Sequence, residues 1–347
     1  MISIRKNRIG TGYPTYIIAE LSANHNHDYE QALALIGAAK EAGADAIKIQ
    51  TYTPDTMTIR CDNEYFRIGK GTIWEGKNLY DLYGEAYTPW EWHAGLKKYA
   101  NKLGLDFFST PFDASSVDFL EELQVSAYKI ASFEIVDIPL IRRIARTGKP
   151  IIISTGMASV AEIDEAVRAI REEGNTSIAL LKCTSAYPAP PDEMNLRTIP
   201  HMAELFDVPV GISDHTLGIS TPVAAVALGA CIVEKHFTIS RDTLGPDSTF
   251  SLEPQEFSGM AQAIRDTEKA LGKVSYTVSE SEAASRNFRR SLFIVSDMKK
   301  GEVFTEENLR SIRPGYGLAP KYFPLIIGKR TKKNLIRGTP LQWDAVE

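Results

Sequence analysis

Two stretches decide the fold: Gly211-Ile-Ser-Asp-His215 and Cys231-Ile-Val-Glu-Lys-His236, each an apolar run that ends on a histidine. Six similar runs precede them: Tyr16 to Glu20, Asp45 to Gln50, Asp106 to Thr110, Ala127 to Ser132, Pro150 to Thr155 and Ile178 to Thr184. Pro209 to His215 and Cys231 to His236 are the seventh and eighth. Amphipathic stretches of helical period separate successive runs, so strand and helix alternate eight times. That order predicts a parallel (β/α)8 barrel, whose chemistry sits where the strands end. The strand-end residues Glu20, Lys48, Thr110, Lys129, Ser132, Ser154, Lys182, Ser213, His215, Glu234 and His236 are therefore expected around one mouth. They suit a small polyanion beside a metal.

The helix signals agree. Asp28 is placed to cap a helix whose Ala32, Leu35, Ile36 and Ala39 share one face, and Gly43 ends it. Thr88-Pro-Trp-Glu91 and Ser159-Val-Ala-Glu162 read as capping boxes. Behind them, Leu96, Tyr99, Ala100 and Leu103, then Ile163, Ala166, Val167 and Ile170, form stripes that cover a sheet. Residues 54–88 break the rhythm. They are too long for a plain βα connection and rich in Tyr, Trp and Gly, as expected of an insertion that shapes a pocket. After Leu271-Gly272 a polar stretch, 274–286, reads as a linker, and short β-like pieces with turns follow. The expected division is a barrel over 1–275, a linker over 276–288 and a small β-rich domain over 289–347, with the boundary near residue 284.

With 347 residues, 44% of them hydrophobic, the chain can bury a large core. The 39 basic and 44 acidic residues nearly balance, which argues against a nucleic-acid groove or a membrane-surface patch. No run is long enough to span a membrane, and MISIRKNRIG lacks the apolar core of a signal peptide, so a cytoplasmic protein is expected. Cys61, Cys183 and Cys231 are too scattered for a disulfide framework or zinc knuckle, and the last two read as core residues.

His215 and His236 end consecutive strands, which lie about 4.8 Å apart when paired, so both imidazoles can reach one point above the barrel. Two nitrogen ligands with the remaining positions open suit an exchangeable divalent ion, Mn²⁺ or Mg²⁺, better than a closed zinc site. Lys48 and Lys129 lie inside apolar strands, where an ammonium needs an anion. An internal ion pair with Glu20 or Glu134, a Schiff base and a bound anion are all open to them. With hydroxyls at Thr110, Ser132, Ser154 and Ser213, the two lysines suit a phosphate and a carboxylate on one small ligand, which favours phosphoenolpyruvate. Glu20, Glu134, Glu234 and Asp247 supply carboxylates for sugar hydroxyls or proton transfer. Gly10-Thr-Gly12 makes no dinucleotide fingerprint, and the aromatic cluster at 65–92 lacks the basic interleaving of a nucleic-acid platform.

Five motifs resemble the sialic acid synthase family: Ala19-Glu-Leu-Ser-Ala-Asn-His-Asn26, Lys182-Cys-Thr-Ser-Ala-Tyr-Pro188, Gly211-Ile-Ser-Asp-His-Thr216, Glu234-Lys-His-Phe-Thr238 and Gly245-Pro-Asp247. The tail, with Arg289-Arg-Ser-Leu292, Lys300-Gly-Glu-Val-Phe304 and Arg313-Pro-Gly-Tyr-Gly317, resembles that family's antifreeze-like (SAF) domain. The resemblance implies condensation of phosphoenolpyruvate with an open-chain amino sugar to give a nonulosonic acid and phosphate. Trp74-Glu-Gly-Lys-Asn-Leu-Tyr-Asp-Leu-Tyr83 and Thr88-Pro-Trp-Glu-Trp92 look most like the branch that makes pseudaminic acid, which implies a diacetamido, trideoxy altrose as co-substrate. Ser22, His27, Lys182, Ser185 and Ser248 depart from the branch that makes sialic acid itself.

The resemblance further implies a divalent ion on His215 and His236 acting as a Lewis acid. Lys48, Thr110, Lys129, Ser132, Ser154, Ser185 and Ser213 would hold phosphoenolpyruvate, and Glu134, Tyr187 and Asp247 would face the sugar. Glu20 or Glu234 would move a proton. A domain-swapped homodimer is also implied, in which Arg313 reaches the sugar in the partner's barrel. Rival readings are a synthase for an aldose phosphate, a Schiff-base aldolase using Lys129, and a non-catalytic carbohydrate- or ice-binding protein. The first needs further cations at the strand ends, the second no metal, and the third leaves a charged mouth unused.

Overall fold

The structure, a computed structural model, describes residues 1–243 and 245–347 and divides into two units, Met1–Gly272 and Lys273–Glu347. The first opens with an antiparallel hairpin of β1 (Ile2–Ile4) and β2 (Asn7–Ile9). Eight parallel strands follow: β3 (Tyr16–Glu20), β4 (Ala46–Thr51), β5 (Asp106–Pro111), β6 (Tyr128–Ile130), β7 (Ile151–Ser154), β8 (Ile178–Cys183), β9 (Val210–Asp214) and β10 (Ile232–His236). Each pairs with the next in sequence, and β10 pairs with β3 to close the barrel, as the alternating pattern predicts.

Strand side chains alternate between faces, and this period of two sorts the whole sheet. Ile18, Ala46, Phe108, Ala127, Ile152, Ala179, Leu181 and Ile232 point inward and pack together with Ile2, Ile4 and Ile9, so the amino-terminal hairpin plugs the barrel floor. Residues of the other parity, such as Ile17, Ile47, Phe107, Ile153, Leu180, Ile212 and Val233, meet the helices in the main core. Farther along the strands, the same parity brings Glu20, Lys48, Thr110, Lys129, Ser154, Cys183, Ser213, Glu234 and His236 to the upper interior.

The helices around the sheet are α1 (Tyr29–Glu41), α2 (Pro54–Met57) and α3 (Leu79–Ala86) in the insertion, α4 (His93–Lys102), α5 (Ala114–Glu122), α6 (Ile138–Ala145), α7 (Val160–Glu172), α8 (Thr198–Phe206), α9 (Ser220–Ala227) and α10 (Pro254–Leu271). Asp28 caps α1 by accepting from the Glu30 and Gln31 amides, and Gly43 beyond it has a φ of 95°. Ser159 and Glu162 form the expected capping box on α7. The box expected at Thr88–Glu91 does not form. Pro89 leads instead into a 3-10 turn, Trp90–Trp92, without a side-chain cap, and the buried Thr88 hydroxyl is 3.0 Å from His25 Nε2. Among the described residues no helix is long and apolar enough to cross a membrane.

The second unit contains a hairpin of β11 (Ser291–Ile294) and β12 (Leu309–Ile312) over its own core of Leu292, Ile294, Phe304, Leu309, Ile326 and Leu341. The stretch read as a linker is partly helical, since Ser279 caps a turn over Glu280–Ala283 and a 3-10 turn, Ala284–Phe288, follows. Gly315 and Gly317 are needed for close approach: a Cβ on Gly317 would lie 2.2 Å from the Leu292 carbonyl oxygen.

The plugged floor gives a direct stability test. Ile4 is fully buried against the inward layer, and Ile4→Ala should cost about 2–5 kcal/mol in a urea titration of the first unit. A loss below about 0.5 kcal/mol would show that the hairpin does not close the barrel.

Candidate active site

The inward parity of the strand ends assembles a chain of ionised groups. Lys48 Nζ lies 2.5 Å from Glu20 Oε2 and 3.8 Å from Glu234 Oε1, and donates to Thr110 Oγ1 at 3.4 Å. Lys129 Nζ lies 3.7 Å from the same Glu234 oxygen, and donates to Ser154 Oγ at 2.6 Å and the Ile130 carbonyl at 3.2 Å. Ser213 Oγ donates to Glu234 Oε1 at 2.9 Å. Glu234 is thus shared by both lysines and fills the partner role that the sequence left open to Glu134, which makes no ion pair among the described residues. All four charged groups are buried.

Their protonation follows from this arrangement. Burial pushes Glu20 above the ordinary carboxylate range despite Lys48. Burial acts on Glu234 too, but Lys129 and Lys48 outweigh it and hold the group below that range. Burial pushes Lys129 down against the pull of Glu234, whereas Lys48 ends above the usual range because Glu20 and Glu234 overcome its burial.

Beside this cluster the Gly156 N–H donates to Ser132 Oγ at 3.0 Å. A Cβ on Gly156 would come within 2.2 Å of Ser185 Oγ and 2.8 Å of Ser132 Oγ, so both predicted serines converge on one stretch of bare backbone. Lys182, placed at the mouth by its position near a strand end, has the wrong parity. Its ammonium turns away to the Cys183 carbonyl and the Thr184 hydroxyl. The inward residue is Cys183, read from sequence only as core, whose Sγ lies 3.9 Å from both Ser185 Oγ and His215 Nδ1. Burial raises that thiol, but His215, Ser132 and Lys129 more than offset it and bring it to about 7.

His215 and His236 do meet, with ring centroids 5.3 Å apart. His215 Nδ1 donates to the Thr184 carbonyl at 3.1 Å, so Nε2 carries the lone pair whenever the ring is neutral; burial favours that form, but Cys183 and the carbonyl outweigh it and raise the pKa above the usual value. His236 Nδ1 is buried without a hydrogen-bond partner, and burial together with His215 holds its pKa well below the usual value. A neutral imidazole is the form that binds a metal. Among the described residues no group of three or more His, Cys, Asp or Glu side chains is arranged to enclose an ion. Two facing imidazoles therefore fit an open site and do not make a closed cage.

His236 also lines a cavity of about 450 Å³. Glu134, Asp247, Tyr187, Ser22 and Gln50 supply its polar groups, and the 54–88 insertion supplies Met57, Ile68, Trp74, Leu79, Leu82 and Tyr83. Tyr187 packs against His215 at 4.4 Å and Trp74 at 5.5 Å between centroids, and the Trp74 indole N–H donates to the Pro246 carbonyl at 3.0 Å. Ser22 donates a hydrogen bond to Asp247. Gln50, which the sequence reading missed, donates to Glu20 at 3.1 Å and Ser22 at 3.0 Å, joining the ionised cluster to the cavity. Its signal was available, since it lies two residues beyond Lys48 on one strand. Tyr52 and Phe112 also line the cavity, but they sit in loops whose direction no periodicity encodes. Arg313 belongs to the second unit and is exposed there.

A closed parallel barrel with an ionised mouth beneath an aromatic-walled cavity has the build of a (β/α)8-barrel enzyme for small anionic substrates. The chain belongs to the NeuB family, which it matches over residues 35–276, and residues 289–347 match the SAF domain. The motif resemblance to the sialic acid synthases is thereby borne out. Pseudaminic acid synthase of Campylobacter jejuni is 46% identical over 332 residues, 96% of each chain. Pseudaminic acid synthase of Helicobacter pylori is 45% identical over 335 residues, 96% of this chain and 98% of that one. A crystal structure of N-acetylneuraminic acid (sialic acid) synthetase from Leptospira borgpetersenii, in complex with citrate, has a TM-score of 0.72 at 34% identity and covers 82% of this chain and 94% of that one.

Burial raises the Glu134 carboxyl from its usual 4.5 to about 7, against a smaller opposing pull from Lys129. A raised carboxyl favours folding while protonated, so its contribution is fully present below pH 4.5 and is lost as pH rises through about 7. Relative to Glu134→Gln, the wild type should lose melting temperature steadily across that window and level off above it. Parallel melting curves from pH 4.5 to 8 would contradict a buried, raised Glu134.

Proposed function

We propose that the chain is a pseudaminic acid synthase, joining phosphoenolpyruvate, 2,4-diacetamido-2,4,6-trideoxy-L-altrose and water into pseudaminic acid and phosphate. The observation that carries this reading is the junction of two unlike surfaces: a barrel mouth lined by two ammoniums, two carboxylates and several hydroxyls, and an apolar wall built by the 54–88 insertion. Relatives of that activity at 45–46% identity support it.

Lys48 and Lys129, with Thr110, Ser132, Ser154, Ser185 and Ser213, hold the phosphate and carboxylate of phosphoenolpyruvate. Both ammoniums are already engaged by carboxylates and hydroxyls, which supports an electrostatic role for Lys129 over an imine. The methylene carbon of phosphoenolpyruvate bonds to the sugar aldehyde carbon, water adds at the former enol carbon, and phosphate leaves as its C–O bond breaks. The water oxygen becomes the keto oxygen at that carbon, and its two protons end one on the former aldehyde oxygen and one on the departing phosphate. Glu20, raised by burial, suits the proton-carrying role, while Glu234, lowered by two lysines, remains a carboxylate that steadies them. A divalent ion held by His215 and His236, Mn²⁺ or Mg²⁺, would supply Lewis acidity to the sugar carbonyl. Glu134, Tyr187 and Asp247 orient the sugar through its polar groups.

Specificity rests on the wall. Met57, Ile68, Leu79 and Leu82 offer apolar contact to a 6-deoxy methyl and a second acetamido methyl. Two buried groups of that size are worth about 1.6 kcal/mol, or roughly fifteenfold in kcat/KM. Phosphate release with phosphoenolpyruvate should therefore favour the diacetamido sugar over N-acetylmannosamine by at least about tenfold. Equal efficiency on the two would move the reading to an N-acetylneuraminic or legionaminic acid synthase. The proposed location is the cytoplasm, where phosphoenolpyruvate is made.

The proposed assembly is a domain-swapped homodimer in which each tail presents Arg313 to the other barrel. The SAF match and the exposed Phe288, Tyr316 and Ile336 of the second unit support it. Mixing Arg313→Ala chains with His236→Ala chains should restore part of the activity after subunit exchange, because one mouth then has both groups. No recovery despite demonstrated exchange would contradict the swap.

A further inference from the structure

Directly behind the two histidines, on the outer face of the same strands, lies a charged pair that the reaction does not use. Asp214 and Lys235 are register partners on β9 and β10, each one residue before a histidine, and both side chains are fully buried. Lys235 Nζ lies 2.5 Å from Asp214 Oδ2 and also donates to the Thr216 carbonyl. Asp214 in turn accepts from the Thr216 amide at 3.0 Å and the Thr216 hydroxyl at 3.1 Å. Both chain neighbours of His215 are therefore tied through one ammonium to the neighbour of His236.

Stability alone does not account for such a pair. Neighbouring outward positions, Ile212 and Val233 on the same strands and Ile17 on β3, are apolar and pack into the main core. Replacing a buried ion pair by apolar groups is commonly neutral or stabilising. What the pair supplies is direction and distance. It fixes the backbone on both sides of His215 against the backbone carrying His236, while His215 Nδ1 is held separately by the Thr184 carbonyl at 3.1 Å.

We propose that the Asp214–Lys235 pair, locked by Thr216, is a positioning device that sets the separation and orientation of His215 and His236 for a shared divalent cation. This rests on the reading that those histidines hold the ion. Outer groups that orient metal ligands commonly change affinity by about 10–100-fold when altered.

The test is Mn²⁺ binding to metal-stripped full-length protein, followed by electron paramagnetic resonance, alongside the melting temperature. The variants are Asp214→Asn/Lys235→Met, which leaves no unpaired buried charge, Thr216→Val, which keeps the pair but removes one restraint, and His236→Ala as the reference for loss of a ligand. The double variant should bind Mn²⁺ about 10–100-fold more weakly while melting within a few degrees of wild type, a separation that a purely structural pair would not give. If the double variant does not fold, Thr216→Val decides: Mn²⁺ affinity weakened severalfold supports the device, and unchanged affinity overturns it. Wild-type binding that ignores His236→Ala overturns the metal reading and the proposal with it. Binding that depends on His236 but ignores both other variants overturns the pair's role alone.

Discussion

Two ammoniums buried at the top of a closed barrel set the terms for everything around them. Taking such a charge out of water costs several kcal/mol unless close anions and hydrogen bonds meet it. Lys48 and Lys129 therefore organise Glu20, Glu234, Thr110 and Ser154, and Ser213 is held through Glu234. Each group that steadies a lysine also takes a direction, and that direction is toward the axis, because the strand period leaves no other choice. The same lysines divide the two carboxylates, so that Glu234 falls below its ordinary range while burial carries Glu20 above it. One acid held as a carboxylate beside another able to carry a proton is a common way for a single mouth to serve both substrates.

Apolar packing makes this affordable. The hairpin residues Ile2, Ile4 and Ile9 close the floor with the inward layer, and the helices cover the outside of the sheet with a second apolar core. The insertion adds Met57, Ile68, Trp74, Leu79 and Leu82 to Tyr187, which gives the cavity a chemically distinct second half. The barrel carries the charged groups, and the insertion carries most of the apolar wall beside them.

The barrel was legible because its signal is repetitive: eight apolar runs, helical stripes between them, and caps such as Asp28 and Ser159 where the hydrogen-bonding logic is local. Most strand-end residues were legible for the same reason, and His215 and His236 meet as expected from their positions on paired strands. The misreadings have physical causes. Lys182 and Cys183 differ by one residue, and a one-residue shift exchanges the faces of a strand. Thr88 carries the letters of a capping box, yet a buried His25 competes for its hydroxyl and Pro89 starts a 3-10 turn first. Gln50 followed from parity but lacks charge, so nothing in composition drew attention to it. Tyr52 and Phe112 depend on loop paths that only the folded chain specifies.

The central claim is that the strand-end lysines form the binding site for phosphoenolpyruvate. Calorimetric titration of phosphoenolpyruvate into the full-length protein, without sugar, tests it most directly. Lys48→Met and Lys129→Met should each weaken binding by about tenfold or more, as expected for loss of a charge-assisted contact of about 1.5–3 kcal/mol. Binding of wild-type strength in both variants, each with an intact fold, would contradict the account.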